Sequence, residues 1–200
     1  NIKENGKDIG YADAGSHWHS DMSYTATPPR LTMLYAVEVP HRDGKPLGDT
    51  WFASATAAYD GLPDAMKKKL DGKRAIHRFA AKERGVKKPV QLTPEQIAKN
   101  PDVVHPVVRS HPVTGRKALY LRKGECIGIE GMDDAEALPL IEELSDLISS
   151  DVYIYRHSWK VGDLLVWDNR CTMHHRNAFP ANARRLMHKS ISAGEPVIAA

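Results

Sequence analysis

The chain has 200 residues, 42% hydrophobic and 26% charged, with 28 Lys and Arg against 25 Asp and Glu for a net charge of +3. A chain of that length buries roughly 70% of its unfolded surface, enough for one domain with its own core. The composition excludes a disordered tail, a collagen-like repeat and a disulfide-stapled miniprotein.

No apolar run approaches the roughly 18 residues of a membrane span, and the opening residues do not read as a secretory signal. The chain starts at Asn1 rather than Met with chemistry-bearing residues close behind, which predicts a longer parent chain. Basic residues are scattered except at Lys67-Lys68-Lys69 and Lys87-Lys88. Both runs read as solvated faces, so neither a nucleic-acid nor a membrane partner is expected. The small positive excess suits a small anionic ligand. Cys126 and Cys171 stand far apart with no C-x-x-C spacing. That argues against a structural zinc and for a reducing, cytoplasmic setting.

In chain order, Leu31–Val39 reads as the first long strand, rich in β-branched and aromatic residues. Ser54 predicts a helix cap with the helix running to about Leu62, and Pro63 opens a second that ends near Gly72. Thr93-Pro94-Glu95-Gln96 has the form of a capping box. Lys117–Leu121 is a further strand. From Asp133 to about Ser149, Leu138, Ile141, Leu144 and Ile148 form one apolar helical stripe, with Pro139 predicting a late helix start. Val152–Tyr155 and Asp163–Trp167 complete the strands. Short strands bounded by turn residues, helices between them and no strict β-α-β alternation favour a β-rich barrel or sandwich carrying helices. No internal repeat or linker appears, so residues 1–200 read as a single domain.

Three motifs carry chemistry. The first is His17-Trp18-His19-Ser20-Asp21. On an extended chain residues two apart share a face, so His19 and Asp21 can converge on one ion. A 2-His-1-carboxylate centre for non-haem Fe(II) then needs one more histidine from elsewhere and keeps positions open. The second motif is Trp167-Asp168-Asn169-Arg170-Cys171-Thr172-Met173-His174-His175. Its adjacent histidines face opposite sides of an extended backbone, so only one can be a ligand. The third is Arg184-Arg185, a fork suited to gripping a carboxylate. H-x-D, a distal His and a later Arg follow the order of a 2-oxoglutarate-dependent Fe(II) oxygenase.

With Trp18-His19-Ser20-Asp21, Gly48-Asp49-Thr50, His105-Pro106-Val107-Val108-Arg109-Ser110-His111-Pro112 and Trp167 through His174 to Arg184-Arg185-Leu186-Met187-His188, the chain resembles the taurine dioxygenase and 2,4-dichlorophenoxyacetate dioxygenase (TauD/TfdA) family. The resemblance implies a double-stranded β-helix, or jelly-roll, with helical insertions. It makes His19, Asp21 and His174 the iron ligands, preferring His174 to His175. It gives Thr50 a contact with 2-oxoglutarate and Arg185 the salt bridge to its distal carboxylate. Lys189 and Met22 become the expected substrate contacts, with Glu125 near the same pocket. Lys189 stands where a sulfonate-binding member carries an arginine, and Leu47 replaces a glycine of the family pattern. His105 and His111 read as scaffold, Asn169 and Arg170 as holding the corner before His174, and Trp167 as core or pocket wall. What normally precedes the H-x-D motif in the family is largely absent.

The activity implied is hydroxylation of a small carboxylate- or sulfonate-bearing substrate, using Fe(II), 2-oxoglutarate and O₂ and releasing succinate and CO₂. A homo-oligomer is a further expectation from the family. Two other readings remain: a metal-dependent jelly-roll with non-oxygenase chemistry, such as a zinc hydrolase, and a non-catalytic binding member. Zinc accepts the same ligands, but a hydrolase has no need of the Arg185 clamp.

Overall fold

The computed structural model describes residues 2–4, 7–9, 15–79, 93–180 and 182–200. Strands β1 (Ile2–Glu4) and β2 (Lys7–Ile9) form an antiparallel hairpin. Next come the long β3 (Leu31–Glu38), the short arms β4 (His41–Arg42) and β5 (Lys45–Pro46), and β6 (Thr50–Ser54). Asp43 and Gly44 join β4 to β5 with φ of 51° and 74°, the left-handed pair that a tight hairpin turn requires. Helices α1 (Ala55–Asp60) and α2 (Asp64–Leu70) lead to β7 (Arg74–His77). After α3 (Pro94–Lys99) come β8 (Val103–Pro106), β9 (Val108–Ser110), β10 (Lys117–Leu119) and β11 (Cys126–Ile129). The chain closes with α4 (Asp134–Ile148), a 3₁₀ turn at Asp151–Tyr153, β12 (Ile154–His157), β13 (Leu164–Asp168), β14 (Thr172–Arg176) and β15 (Leu186–Ile191).

Two three-stranded antiparallel sheets, β13-β3-β15 and β12-β6-β14, frame the interior. They meet through aromatic rings: Trp167 on β13 lies 4.6 Å from His174 on β14 and 5.2 Å from Phe52 on β6. The opposite face of the second sheet carries Ala53, Met173 and Ile154, which join the helical residues Ala55, Ala58, Leu140, Ile141 and Leu144 in the main core. On the outward face of the first sheet Tyr35, Leu164 and Val166 are exposed. A third sheet, β11-β7-β8, supports the loop that precedes β11. The protein is thus mainly β with a few helices, as the strand and turn pattern indicates.

Local chemistry explains the element boundaries. The Ser54 hydroxyl accepts from the Ala57 N–H at the start of α1, and Thr93 and Gln96 complete a reciprocal capping box at α3. Asp133 caps α4 from its side chain. Lys67, Lys68 and Lys69 occupy the last turn of α2, where cations favour the carbonyl end of a helix; Lys87 and Lys88 lie outside the described residues.

Three expectations are corrected. Helix α4 does not start late but runs through Pro139, which forfeits one backbone hydrogen bond; the buried stripe Ala137, Leu140, Ile141, Leu144 and Ile148 holds the helix regardless. Val152 and Tyr153 form the 3₁₀ turn, so that strand begins only at Ile154. Strand β10 ends at Leu119, two residues short of Leu121, where the chain turns towards Arg122.

Two predictions follow from this packing. Leu144 is 1% exposed, so Leu144→Ala should lower the free energy of urea unfolding by about 2–5 kcal/mol. Burial, aided by the neighbouring His105, pushes the His77 imidazole from 6.5 down to about 3. Below about pH 6.5 the unfolded chain takes up a proton here that the folded chain refuses, so stability is lost as pH falls towards 3. Urea midpoints followed from neutral pH to about 4.5 should therefore fall less steeply for His77→Gln than for the parent.

Candidate metal centre

His19 lies in no regular strand. It is fixed by an isolated bridge to His174, with His19 N–H donating to the His174 carbonyl at 3.0 Å and His174 N–H returning the bond at 2.8 Å. Asp21 follows where the chain enters a turn. The H-x-D segment is therefore a bridge and a turn rather than an extended strand, yet both side chains reach the same point. One ligand atom each from His19, Asp21 and His174 lies within 4.8 Å of the others.

The donor set fits a divalent cation. His19 Nδ1 lies 2.9 Å from the His17 carbonyl, and donating to it leaves Nε2 unprotonated towards Asp21. From Nε2 of His19 to Asp21 Oδ1 is 3.7 Å, and from His174 Nε2 to Asp21 Oδ2 is 4.0 Å, both beyond hydrogen-bonding reach. His174 Nδ1 is buried without a hydrogen-bond partner. Burial pushes His19 down to about 4 and His174 well below its ordinary value, so both imidazoles are neutral, the form that binds metal. Burial opposes ionisation of Asp21, but the Lys189 ammonium and the Thr32 hydroxyl help hold the carboxyl below its ordinary range.

Asp21 is held by a chain of hydrogen bonds. Trp167 Nε1 donates to Asn169 Oδ1 at 3.1 Å, Asn169 Nδ2 to Thr32 Oγ1 at 2.7 Å, and the Thr32 hydroxyl to Asp21 Oδ2 at 2.6 Å. Lys189 on β15 donates to the other oxygen at 2.7 Å, so its ammonium meets Asp21 directly. Met22 sits beside them in a left-handed turn with φ of 51°, and its carbonyl accepts from Thr25. His175 points away, with its ring 4.4 Å from Trp18 and 5.1 Å from Trp51.

A second subsite shares this interior, since Thr50 and Phe52 alternate on the face of β6 that pairs with His174. Trp159, fully buried, donates from Nε1 to Thr50 Oγ1 at 2.9 Å. The Arg185 guanidinium lies 5.9 Å from the Trp159 ring and 6.0 Å from that of Phe179. Gly48, with φ of 76°, makes room for it: a Cβ there would stand 3.0 Å from Arg185 Cδ and Nε. Burial pushes Arg185 down to about 10, and its Nε and Nη2 are buried without hydrogen-bond partners. A planar fork in that condition matches a carboxylate. Arg184 instead pairs with Glu38 at 2.5 Å on the exterior.

The remaining candidates are scaffold. His105 contacts the Thr25 carbonyl at 2.9 Å. His111, Asp168 and Cys171 approach one another closely, but Asp168 already accepts from His111, from the Arg170 side chain and from the Arg170 backbone, leaving no lone pair for a cation. Arg170 also pairs with Glu195, closing the corner before β14. Trp167 serves as core and pocket wall together. Glu125 is buried against Arg122 and Ser23. Thr32, Trp159 and Phe179 carry no sequence signal of their own; each reaches the site from a separate strand or loop.

Thr32→Val would leave Asp21 Oδ2 and Asn169 Nδ2 each without its hydrogen-bond partner in a buried position. Unfolding in urea should show a loss of about 1–3 kcal/mol.

The family model described as taurine catabolism dioxygenase TauD, TfdA family matches residues 1–190. The chain is 38% identical over 181 residues to the alpha-ketoglutarate-dependent 2,4-dichlorophenoxyacetate dioxygenase of Burkholderia sp. (strain RASC), covering 90% of this chain and 59% of that protein. It is 36% identical to the enzyme of the same name from Cupriavidus pinatubonensis, covering 92% of this chain and 62% of the relative. The chain thus spans about three-fifths of these relatives. The crystal structure of AAD-2 with Mn(II) and N-oxalylglycine superposes with a TM-score of 0.83 at 32% identity, covering 92% of this chain and 71% of that one. A taurine dioxygenase from Burkholderia xenovorans gives 0.76 at 26% identity, with coverages of 96% and 63%. By sequence, by structure and by the placement of its motif residues, the chain belongs to the TauD/TfdA family.

Proposed function

We propose that the protein is an Fe(II)- and 2-oxoglutarate-dependent dioxygenase that hydroxylates a small organic anion. One observation carries this reading: two neutral imidazoles and a carboxylate converge in the same interior as a walled guanidinium whose Nε and Nη2 are buried without partners. His19, Asp21 and His174 hold the metal; Arg185 and Thr50 hold the distal carboxylate of 2-oxoglutarate. Bound Fe(II), with 2-oxoglutarate and O₂, supplies oxidative decarboxylation of the cosubstrate to succinate and CO₂ coupled to insertion of the second oxygen atom into a C–H bond. Mn(II) and N-oxalylglycine in the AAD-2 structure support the pairing, since N-oxalylglycine is 2-oxoglutarate with NH in place of one CH₂.

The chain's own residues orient and enclose. Thr32 and Asn169 fix the Asp21 carboxylate, while Trp167, Phe52 and Trp159 wall the interior from water. Were a bound cation to balance the Asp21 carboxylate, the half-exposed Lys189 ammonium beside it would be available to the substrate's anionic group near Met22. Relatives named for 2,4-dichlorophenoxyacetate and (S)-phenoxypropionate support an aryloxyalkanoate-like carboxylate as the substrate class. We read residues 1–200 as one domain with a double-stranded β-helix at its centre, supported by the two facing antiparallel sheets. Two free thiols, Cys126 and Cys171, support a cytoplasmic setting; no helix among the described residues is long and apolar enough to cross a membrane.

The decisive experiment follows succinate formation and metal uptake in the full-length protein. Asp21→Ala should abolish Fe(II)-dependent succinate release and Mn(II) binding together. Arg185→Gln should retain Mn(II) binding and raise the KM for 2-oxoglutarate by about 10-fold or more, the loss of one charge-assisted contact of about 1.5–3 kcal/mol. Succinate release unchanged in Asp21→Ala would overturn the assignment.

A further inference from the structure

The segment carrying His19 and Asp21 has no strand or helix to hold it, only turns, bends and the single bridge at His19. Its shape is imposed by side-chain contacts on the residues flanking the ligands. Arg122 Nη1 donates to the Trp18 carbonyl at 2.9 Å. The Ser20 hydroxyl donates to the Thr172 carbonyl at 2.7 Å, tying the segment to the strand of His174. The Ser23 hydroxyl donates to Glu125 Oε2, and His105 meets the Thr25 carbonyl at 2.9 Å.

Behind Ser23 lies a buried polar network. Glu125 and Arg122, 8% and 6% exposed, pair at 2.6 Å through Glu125 Oε1 and Arg122 Nη2. Both carboxylate oxygens are thus occupied, one by Arg122 and the other by Ser23, so Glu125 faces the segment rather than any ligand. Because the Ser23 proton is directed at Glu125, His77 Nδ1 supplies the hydrogen in its 3.1 Å contact with Ser23 Oγ. His77 Nε2 lies 3.5 Å from Cys126 Sγ. Ser23 is the point where this network grips the segment, two residues after Asp21.

We infer that Ser23, backed by the Arg122–Glu125 pair, is a positioning residue that sets the separation of His19 and Asp21 for metal binding. The inference rests on the metal reading proposed above. A network of this kind, closed in a low-dielectric interior, holds one geometry rather than several. Outer residues that orient metal ligands typically change affinity by 10- to 100-fold when removed.

Ser23→Ala removes the grip without changing any charge. Mn(II) titration of the full-length protein by calorimetry, with no cosubstrate present, should show affinity about 10- to 100-fold below the parent. Leu62→Ala, a core truncation in the turn after α1, serves as the stability control and should keep the parent's Mn(II) affinity. Glu125→Gln provides a second variant of unchanged shape should Ser23→Ala fail to fold, and it should weaken Mn(II) binding within the same range. Parent-like affinity in the folded Ser23 or Glu125 variant would overturn the positioning role while leaving the metal site standing, as would an equal loss in Leu62→Ala. A parent protein that takes up no Mn(II) would overturn the metal site and this inference with it.

Discussion

Two backbone hydrogen bonds between His19 and His174 bring together parts of the chain more than 150 residues apart. Everything else in the centre depends on that bridge. It sets the two rings 4.2 Å apart, with the Asp21 carboxylate oxygens 3.7 and 4.0 Å from their Nε2 atoms. Strand β14 is itself positioned by β6, whose other face is anchored on Ala53 in the helical core. The ligand geometry is therefore inherited from the sheet on one side and imposed by side-chain contacts on the other.

The interior has two poles of opposite character. At one, a carboxylate is surrounded by donors and by neutral imidazoles, so negative charge is concentrated where a cation belongs. At the other, a guanidinium is enclosed by Trp159, Phe179 and Gly48 with part of its donor fork unpaired. Burying either group alone is costly. A ligand that carries a metal chelate at one end and a carboxylate at the other satisfies both poles at once.

Much of this was legible in the sequence because the candidate metal ligands and the candidate carboxylate clamp are local in pattern: H-x-D, a histidine after Trp-Asp-Asn-Arg, and an arginine beyond it. The starts of α1 and α3 were legible for the same reason, since Ser54 and Thr93 cap the helices they precede. Supporting residues were not. Thr32 and Trp159 are ordinary strand and loop residues whose importance arises only when β3 meets Asp21 and the loop after β12 meets Thr50. Pro139 misled because propensity treats a proline as a helix breaker, whereas the buried face of α4 outweighs one lost hydrogen bond. The Arg184-Arg185 pair is symmetric in pattern alone; the family resemblance singles out Arg185, and in the fold Arg184 leaves the other side of the chain to pair with Glu38.

The unequal enclosure of the two cationic side chains gives the site two responses to ionic strength. Lys189, whose side chain is 48% exposed, faces solvent in which mobile ions screen charge over about 8 Å at physiological salt. Arg185, lodged between aromatic rings with its Nε and Nη2 shielded from solvent, lies largely beyond their reach. Added salt therefore screens the charge of Lys189 while leaving that of Arg185 nearly untouched, so the two cationic side chains answer differently to ionic strength.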